Sequence, residues 1–191
     1  MYRFLPAVEM TSNDSMNIAK ARKAIEAAFD VYRNRLETIP DEQFTVTPPG
    51  GGWSYAEVYS HILQADLGST IAMERCINGT AHPTKKGLNL LGRLVLFFHR
   101  FPPVKVKMPE KTASKMPVSK ISKEEARNLL IKCRKRIAEI APLVNNALPQ
   151  NRHKHPRLGN LDAVNWLKFI LIHTKHHLKQ LDRIEKKFLH T

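Results

Sequence analysis

The chain has 191 residues, of which 31 are Lys or Arg and 17 are Asp or Glu, a formal net charge of +14. At 42% hydrophobic and 25% charged it can bury a core, which excludes wholesale disorder and makes one domain over residues 1–191 the simplest organisation. Two cysteines, Cys76 and Cys133, cannot build a disulfide framework, no run reaches the ~20 apolar residues of a membrane-spanning helix, and no signal peptide is evident, so a reducing cytoplasm is expected.

The first helix is predicted from Ser15 to Thr38, where Ile18, Ala21, Ile25, Ala28, Phe29, Tyr32 and Leu36 recur at steps of three and four until Pro40 ends the run. The breaker-rich Pro48-Pro49-Gly50-Gly51-Gly52 then leads to Ser54 and Glu57. These fit the capping box S-x-x-E, in which hydroxyl and carboxylate each satisfy a backbone N–H of the first turn. A second helix is expected from Tyr55 to Asn78, with Gly79 as its stop. Residues 80–121, with Pro83, Pro102, Pro103, Pro109 and Pro117, are too long for a turn. They read as a basic, proline-rich crossover, within which Leu88–Phe101 is apolar enough for a short helix that packs over the bundle or forms a lid.

Ser122 and Glu125 repeat the capping box and open a third helix carrying Ala126, Leu129, Leu130, Cys133, Ile137 and Ile140 on one face, fraying at Pro142. Asn160 is the expected cap of a fourth, in which Leu167, Ile170, Leu171, Leu178, Leu181, Ile184 and Phe188 keep the helical period to the C-terminus. No strand alternation competes. The fold class is therefore all-α, a four-helix bundle with a long crossover between the second and third helices.

The charge is local. Residues 1–81 carry 7 basic and 10 acidic groups, whereas 82–136 carry 15 and 3. Such a segment suits nucleic acid or an anionic surface, although no aromatic-interleaved platform accompanies the lysines, and a solvated surface is the simpler reading.

Of nine histidines, His82, His99, His153, His155 and His190 fall in loops, the basic region or the terminus and read as solvated. His61 is different, because it shares a broad face with Val58, Ile62, Ala65, Ser69 and Ala72. On the fourth helix His173 and His177 lie four apart, about 40° around the axis, a spacing that can present two imidazoles to one ion. His176 points farther towards solvent and is rejected as a ligand. Three imidazoles from two helices can converge at one edge of the bundle with coordination positions left open, as at a catalytic rather than a structural site. An HxxxH pair also occurs on ordinary helix surfaces and cores, so both readings stand on spacing alone.

Gly52-Trp53-Ser54-Tyr55-Ala56-Glu57-Val58-Tyr59-Ser60-His61-Ile62, with His155-Pro156, Gly159, Trp166 and His173-Thr174-Lys175-His176-His177-Leu178-Lys179-Gln180-Leu181, resembles the DinB/YfiT-like superfamily of four-helix-bundle proteins. The resemblance implies a divalent metal, zinc or nickel, held by His61, His173 and His177. It also implies a metal-dependent enzyme acting on a small molecule, most simply an S-transferase that uses a low-molecular-weight thiol, with a hydrolase as the neighbouring chemistry. Fold membership alone does not carry a reaction across. Gln64, Gln180 and Asp66 are candidates for orienting ligands, or else ordinary polar helix positions. Trp53 and Trp166 are expected to pack near the metal edge, and Cys76 and Cys133 to be inert buried thiols. A different class of function remains, a non-catalytic metal-binding bundle whose basic segment binds nucleic acid or an anionic surface, and Leu88–Phe101 could serve as a homodimer contact or a membrane-surface helix, a core or lid segment being the simpler reading.

Overall fold

The computed structural model describes residues 12–81, 83–102 and 118–189; His82, His190, Pro103, Pro109 and Pro117 lie outside them. Helix α1 (Ser12–Thr38) buries Ile25, Phe29, Tyr32 and Leu36 completely, an i, i+4, i+7, i+11 stripe. After Pro40 a single turn, α2 (Asp41–Phe44), seats Phe44 against the Tyr59 ring at 5.7 Å. Gly50, Gly51 and Gly52 follow with φ of 74°, 79° and 105°. Three successive residues in a region that side chains resist turn the chain back to the bundle. The capping box then forms as the sequence predicts: Glu57 N donates to Ser54 Oγ at 3.3 Å and Ser54 N donates to the Glu57 carboxylate at 2.8 Å. Helix α3 (Tyr55–Ile77) runs from there to Asn78 and Gly79.

Within the crossover, α4 (Leu90–Phe98) is opened by Asn89, whose Oδ1 accepts from Gly92 N at 2.8 Å. It packs over the bundle through Gly92, Val95 and Leu96. Helix α5 (Lys123–Ile140) begins with the second capping box, at Ser122 and Glu125, and passes into a 3-10 segment over Ala141–Asn146 at Pro142. A small antiparallel hairpin then intervenes, β1 (His153–His155) with β2 (Gly159–Leu161), His153 opposite Leu161 and His155 opposite Gly159. Strands of three residues are too short for alternation to show in a sequence. The hairpin also corrects the expected start of the fourth helix. Asn160 belongs to β2, and Asp162 caps α6 (Ala163–Leu189) by accepting from Asn165 N at 2.8 Å.

Helices α1 and α3 each pack between α5 and α6, giving a four-helix bundle. Ion pairs fix the directions. Arg35, near the end of α1, pairs with Asp182, near the end of α6, and Arg136, near the end of α5, pairs with Glu74, near the end of α3. Thus α3 and α5 run the same way, and the chain between them must return along at least the length of α5, about 27 Å at 1.5 Å per residue. That geometric need explains the long crossover.

Candidate metal centre

Near its start α3 carries His61, and the middle of α6 carries His173 and His177. Because α6 runs antiparallel to α3, with Tyr55 at one end stacked on Phe188 at 5.8 Å, these positions fall at the same level of the bundle. Ring centroids are 5.2 Å apart for His61 and His173, 4.8 Å for His61 and His177, and 4.6 Å for His173 and His177. The Nε2 atoms of His173 and His177 lie 3.1 Å apart, and one nitrogen from each of the three residues falls within 4.8 Å of the others. Among the described residues no other group of three His, Cys, Asp or Glu converges in this way.

Each imidazole is held by its own surroundings. His173 is 7% exposed and stacks on Phe169 at 5.1 Å with an 18° interplanar angle. His177, equally buried, has Nδ1 2.8 Å from Gln180 Oε1. A carbonyl oxygen there accepts, so Nδ1 carries the proton and Nε2 presents its lone pair to the centre. Trp53 lies 5.1 Å from the His61 ring, and Phe101 lies 6.2 Å from that of His173. Burial, reinforced by neighbouring histidines, favours the neutral rings. It pulls His61 down to about 4 and His177 to about 3, and lowers His173 well below the ordinary range. At neutral pH each ring is therefore uncharged and has one nitrogen able to take a cation in place of a proton.

Beneath His173 lies Asp66, fully buried on α3. One carboxyl oxygen is 3.0 Å from the Thr174 hydroxyl, which itself donates to the Ile170 carbonyl at 2.7 Å. The other faces His173 Nδ1 at 3.7 Å, and both of those atoms are buried without a hydrogen-bond partner. Burial drives the Asp66 carboxyl strongly upward, against the Thr174 hydrogen bond. Of the two readings of Asp66, a group that orients a ligand or an ordinary polar helix position, complete burial beside His173 excludes the second. The signal for burial was present: Ile62, Asp66, Ser69 and Met73, all buried, form one i, i+4, i+7, i+11 stripe. Thr174 completes the matching stripe Ile170, Thr174, His177 and Leu181 on α6.

The residues present fit a divalent cation. Zinc–nitrogen bonds of about 2.1 Å put two nitrogens on one ion no more than about 4.2 Å apart. The 3.1 Å pair meets that limit, and the widest separation, within 4.8 Å, needs a sub-ångström shift of one imidazole. His173 Nδ1 and Asp66 Oδ1, 3.7 Å apart and each without a hydrogen-bond partner, stand where the outer partner of an imidazole that ligates through Nε2 is usually found.

Other candidates lie elsewhere. His176 is half-buried, 5.0 Å from the Phe101 ring, and outside the converging group. Gln64 donates to Ser60 Oγ at 2.9 Å. Both thiols are buried and inert: Cys76 contacts the Leu161 carbonyl and is pushed up to about 11, and burial raises Cys133 as well. The expectation that His155 is a solvated loop residue is also corrected. It is half-buried in the hairpin, 4.5 Å from Phe169 and 5.3 Å from Trp166, with Nδ1 accepting from Arg157 N and Leu158 N. Two surface cavities of about 590 and 220 Å³ are lined by residues away from the histidines.

A family model described as the DinB superfamily matches residues 24–181. No curated protein matches the sequence. Among solved structures, TT2238, described as a four-helix bundle protein, aligns over 87% of this chain and 98% of its own at 21% identity and a TM-score of 0.56. YfiT from Bacillus subtilis aligns over 97% of this chain and 93% of its own at 16% identity and a TM-score of 0.58. It is described as "a probable metal-dependent hydrolase with an unusual four-helix bundle topology".

Proposed function

The chain belongs to the DinB superfamily, and from that premise we propose that it is a divalent-metal-dependent enzyme acting on a small molecule, with His61, His173 and His177 as the ligands and zinc or nickel as the ion. The observation that carries this reading is the convergence of three neutral imidazoles in one buried cluster without a fourth protein ligand among the described residues. Three-ligand sites keep positions open for an exogenous group, whereas closed four-ligand sites are structural.

When bound, the cation supplies a positive charge that holds a thiol as thiolate near neutral pH and fixes the position of its sulfur. The protein's own residues do the rest. Gln180 sets the tautomer of His177, Phe169 holds the plane of His173 by stacking while Asp66 faces its Nδ1, and Trp53 and Phe101 wall the centre with apolar surface that limits water. The reaction favoured is S-transfer: the thiol loses its proton to solvent, its sulfur bonds to an electrophilic carbon, and the leaving group departs with the electron pair.

Hydrolysis, the activity named for YfiT, is the neighbouring reading, but water as nucleophile also needs a base to carry protons. The carboxylate beside the histidines, Asp66, is buried beneath His173 and engaged by Thr174. The choice is tested by incubating zinc- or nickel-loaded protein with a panel of low-molecular-weight thiols and an aryl halide. Turnover of thiol that stops on chelation supports transfer; chelator-sensitive ester cleavage with no thiol consumption contradicts it.

A further inference from the structure

Helix α4 has an exposed face that the metal centre does not use. Leu90, Leu94, Phe97 and Phe98 are 74%, 46%, 78% and 54% exposed. At about 100° per residue they share an arc of about 100°, opposite Gly92, Val95 and Leu96, which face the bundle. The two phenylalanine rings touch edge to face at 5.0 Å. This face cannot roll inwards, because α4 is fastened to the hairpin turn. Asn89 N donates to the Leu158 carbonyl at 3.0 Å, Asn160 N to the Gly87 carbonyl at 3.0 Å, and Asn89 Nδ2 to the Arg157 carbonyl at 2.7 Å. Gly92 passes so close to Leu158 that a Cβ there would lie 2.2 Å from its carbonyl oxygen.

The surroundings are of one sign. Between Glu74 and Glu110 the sequence contains no Asp or Glu, and Arg93 on α4 and Lys85, Lys86 and Arg100 in the chain that flanks it are all exposed. An apolar strip rimmed by cations matches the boundary of an anionic bilayer, where phosphates lie outside and acyl chains inside. We propose that α4 is a docking helix for an anionic lipid surface, inserting Leu90, Leu94, Phe97 and Phe98 below headgroups that Lys85, Lys86, Arg93 and Arg100 engage.

The alternatives fit less well. A nucleic acid would engage the cations and could stack on the two rings, but it leaves Leu90 and Leu94 in water. A second copy of the chain would bring like-charged rims together in a protein of net charge +14. Residues 103–117 carry four lysines against Glu110, so their charge does not complement the rim either. With one short helix as its anchor, the docking is peripheral and reversible.

The test is sedimentation of the full-length protein with phosphatidylcholine vesicles, with and without one-third phosphatidylglycerol, at low and near-physiological salt. The proposal predicts binding to the anionic vesicles that weakens with salt, and little binding to neutral ones. Phe97→Ser/Phe98→Ser and Arg93→Gln/Arg100→Gln should each weaken anionic binding at least tenfold while leaving the helical circular dichroism unchanged. Three results would overturn it: no binding to anionic vesicles, binding indifferent to the phenylalanine pair, or retention on single-stranded RNA that loses as much in the arginine variant while vesicle binding does not. Light scattering that finds a lipid-free dimer abolished by Phe97→Ser/Phe98→Ser would assign the face to self-association instead.

Discussion

Replacing Asp66 by Asn keeps the side-chain volume and a polar contact with the Thr174 hydroxyl but removes the carboxyl group that faces His173 Nδ1. Partners of ligating histidines typically contribute about 10–100-fold to metal affinity. Asp66→Asn should therefore bind zinc or nickel about 10–100-fold more weakly by calorimetric titration, with its circular dichroism unchanged; undiminished affinity would leave Asp66 a bystander. His155 offers a test of a different kind. Its Nδ1 accepts two backbone N–H groups and its ring lies among aromatic side chains, and burial holds it at about 4, below the about 6.5 of an unfolded chain. The unfolded state binds the proton more readily, so this contribution is fully present above pH 6.5. It declines as the pH falls towards 4 and is constant below that. The loss amounts to about 3 kcal/mol at most. Urea titrations at pH 7 and 4.5 should show a smaller pH-dependent drop in His155→Gln than in the parent; an equal drop would place the sensitivity elsewhere. At this scale the sequence is partly legible. Helical spacing sets His173 beside His177 and puts His61 on a face that can meet them, and the family resemblance singles out the trio, whereas the environment of His155 depends on a hairpin that no periodicity announces.

Among the elements, α4 depends on a close approach of backbones. Gly92→Ala would force a methyl group 2.2 Å from the Leu158 carbonyl oxygen, and neither backbone can yield as a flexible side chain would. Overpacking of this kind costs about 1–3 kcal/mol, which should appear as a lower denaturant midpoint and loosening of the 87–92 and 157–160 contact by amide exchange. Unchanged stability would mean that α4 shifts without cost. The two serine capping boxes, the glycine-rich loop and the Pro142 boundary all act through local chemistry, and for that reason they can be read directly. The hairpin and the Asp162 cap cannot, because three-residue strands and an Asn160 that imitates a helix start carry no distinguishing local pattern. The long crossover lies between these cases. Its length and proline content are visible in the sequence, and its reason, two adjacent helices running the same way, emerges only with the Arg136–Glu74 and Arg35–Asp182 pairs.

Across the whole molecule the centre couples distant parts of the chain, since His61 lies on the second bundle helix and His173 and His177 on the last. A cation that binds the assembled trio and not the unfolded chain must stabilise the fold by mass action, by about 2.7 kcal/mol at 100 times Kd. The Tm should accordingly rise with added zinc or nickel in the parent protein and stay flat in His177→Ala; a metal-independent Tm in the parent would speak against a site spanning two helices. No helix among the described residues is long and apolar enough to cross a membrane. Along the sequence the excess positive charge lies in residues 82–136, with 15 basic and 3 acidic groups, and in the C-terminal part of the chain, while the first 81 residues carry 7 basic and 10 acidic groups. The most direct measurement is the metal content of the purified protein beside His61→Ala and His173→Ala, by elemental analysis per chain. Near-stoichiometric zinc or nickel in the parent and loss from both variants is the predicted result; full retention in both would contradict the assignment of the three histidines.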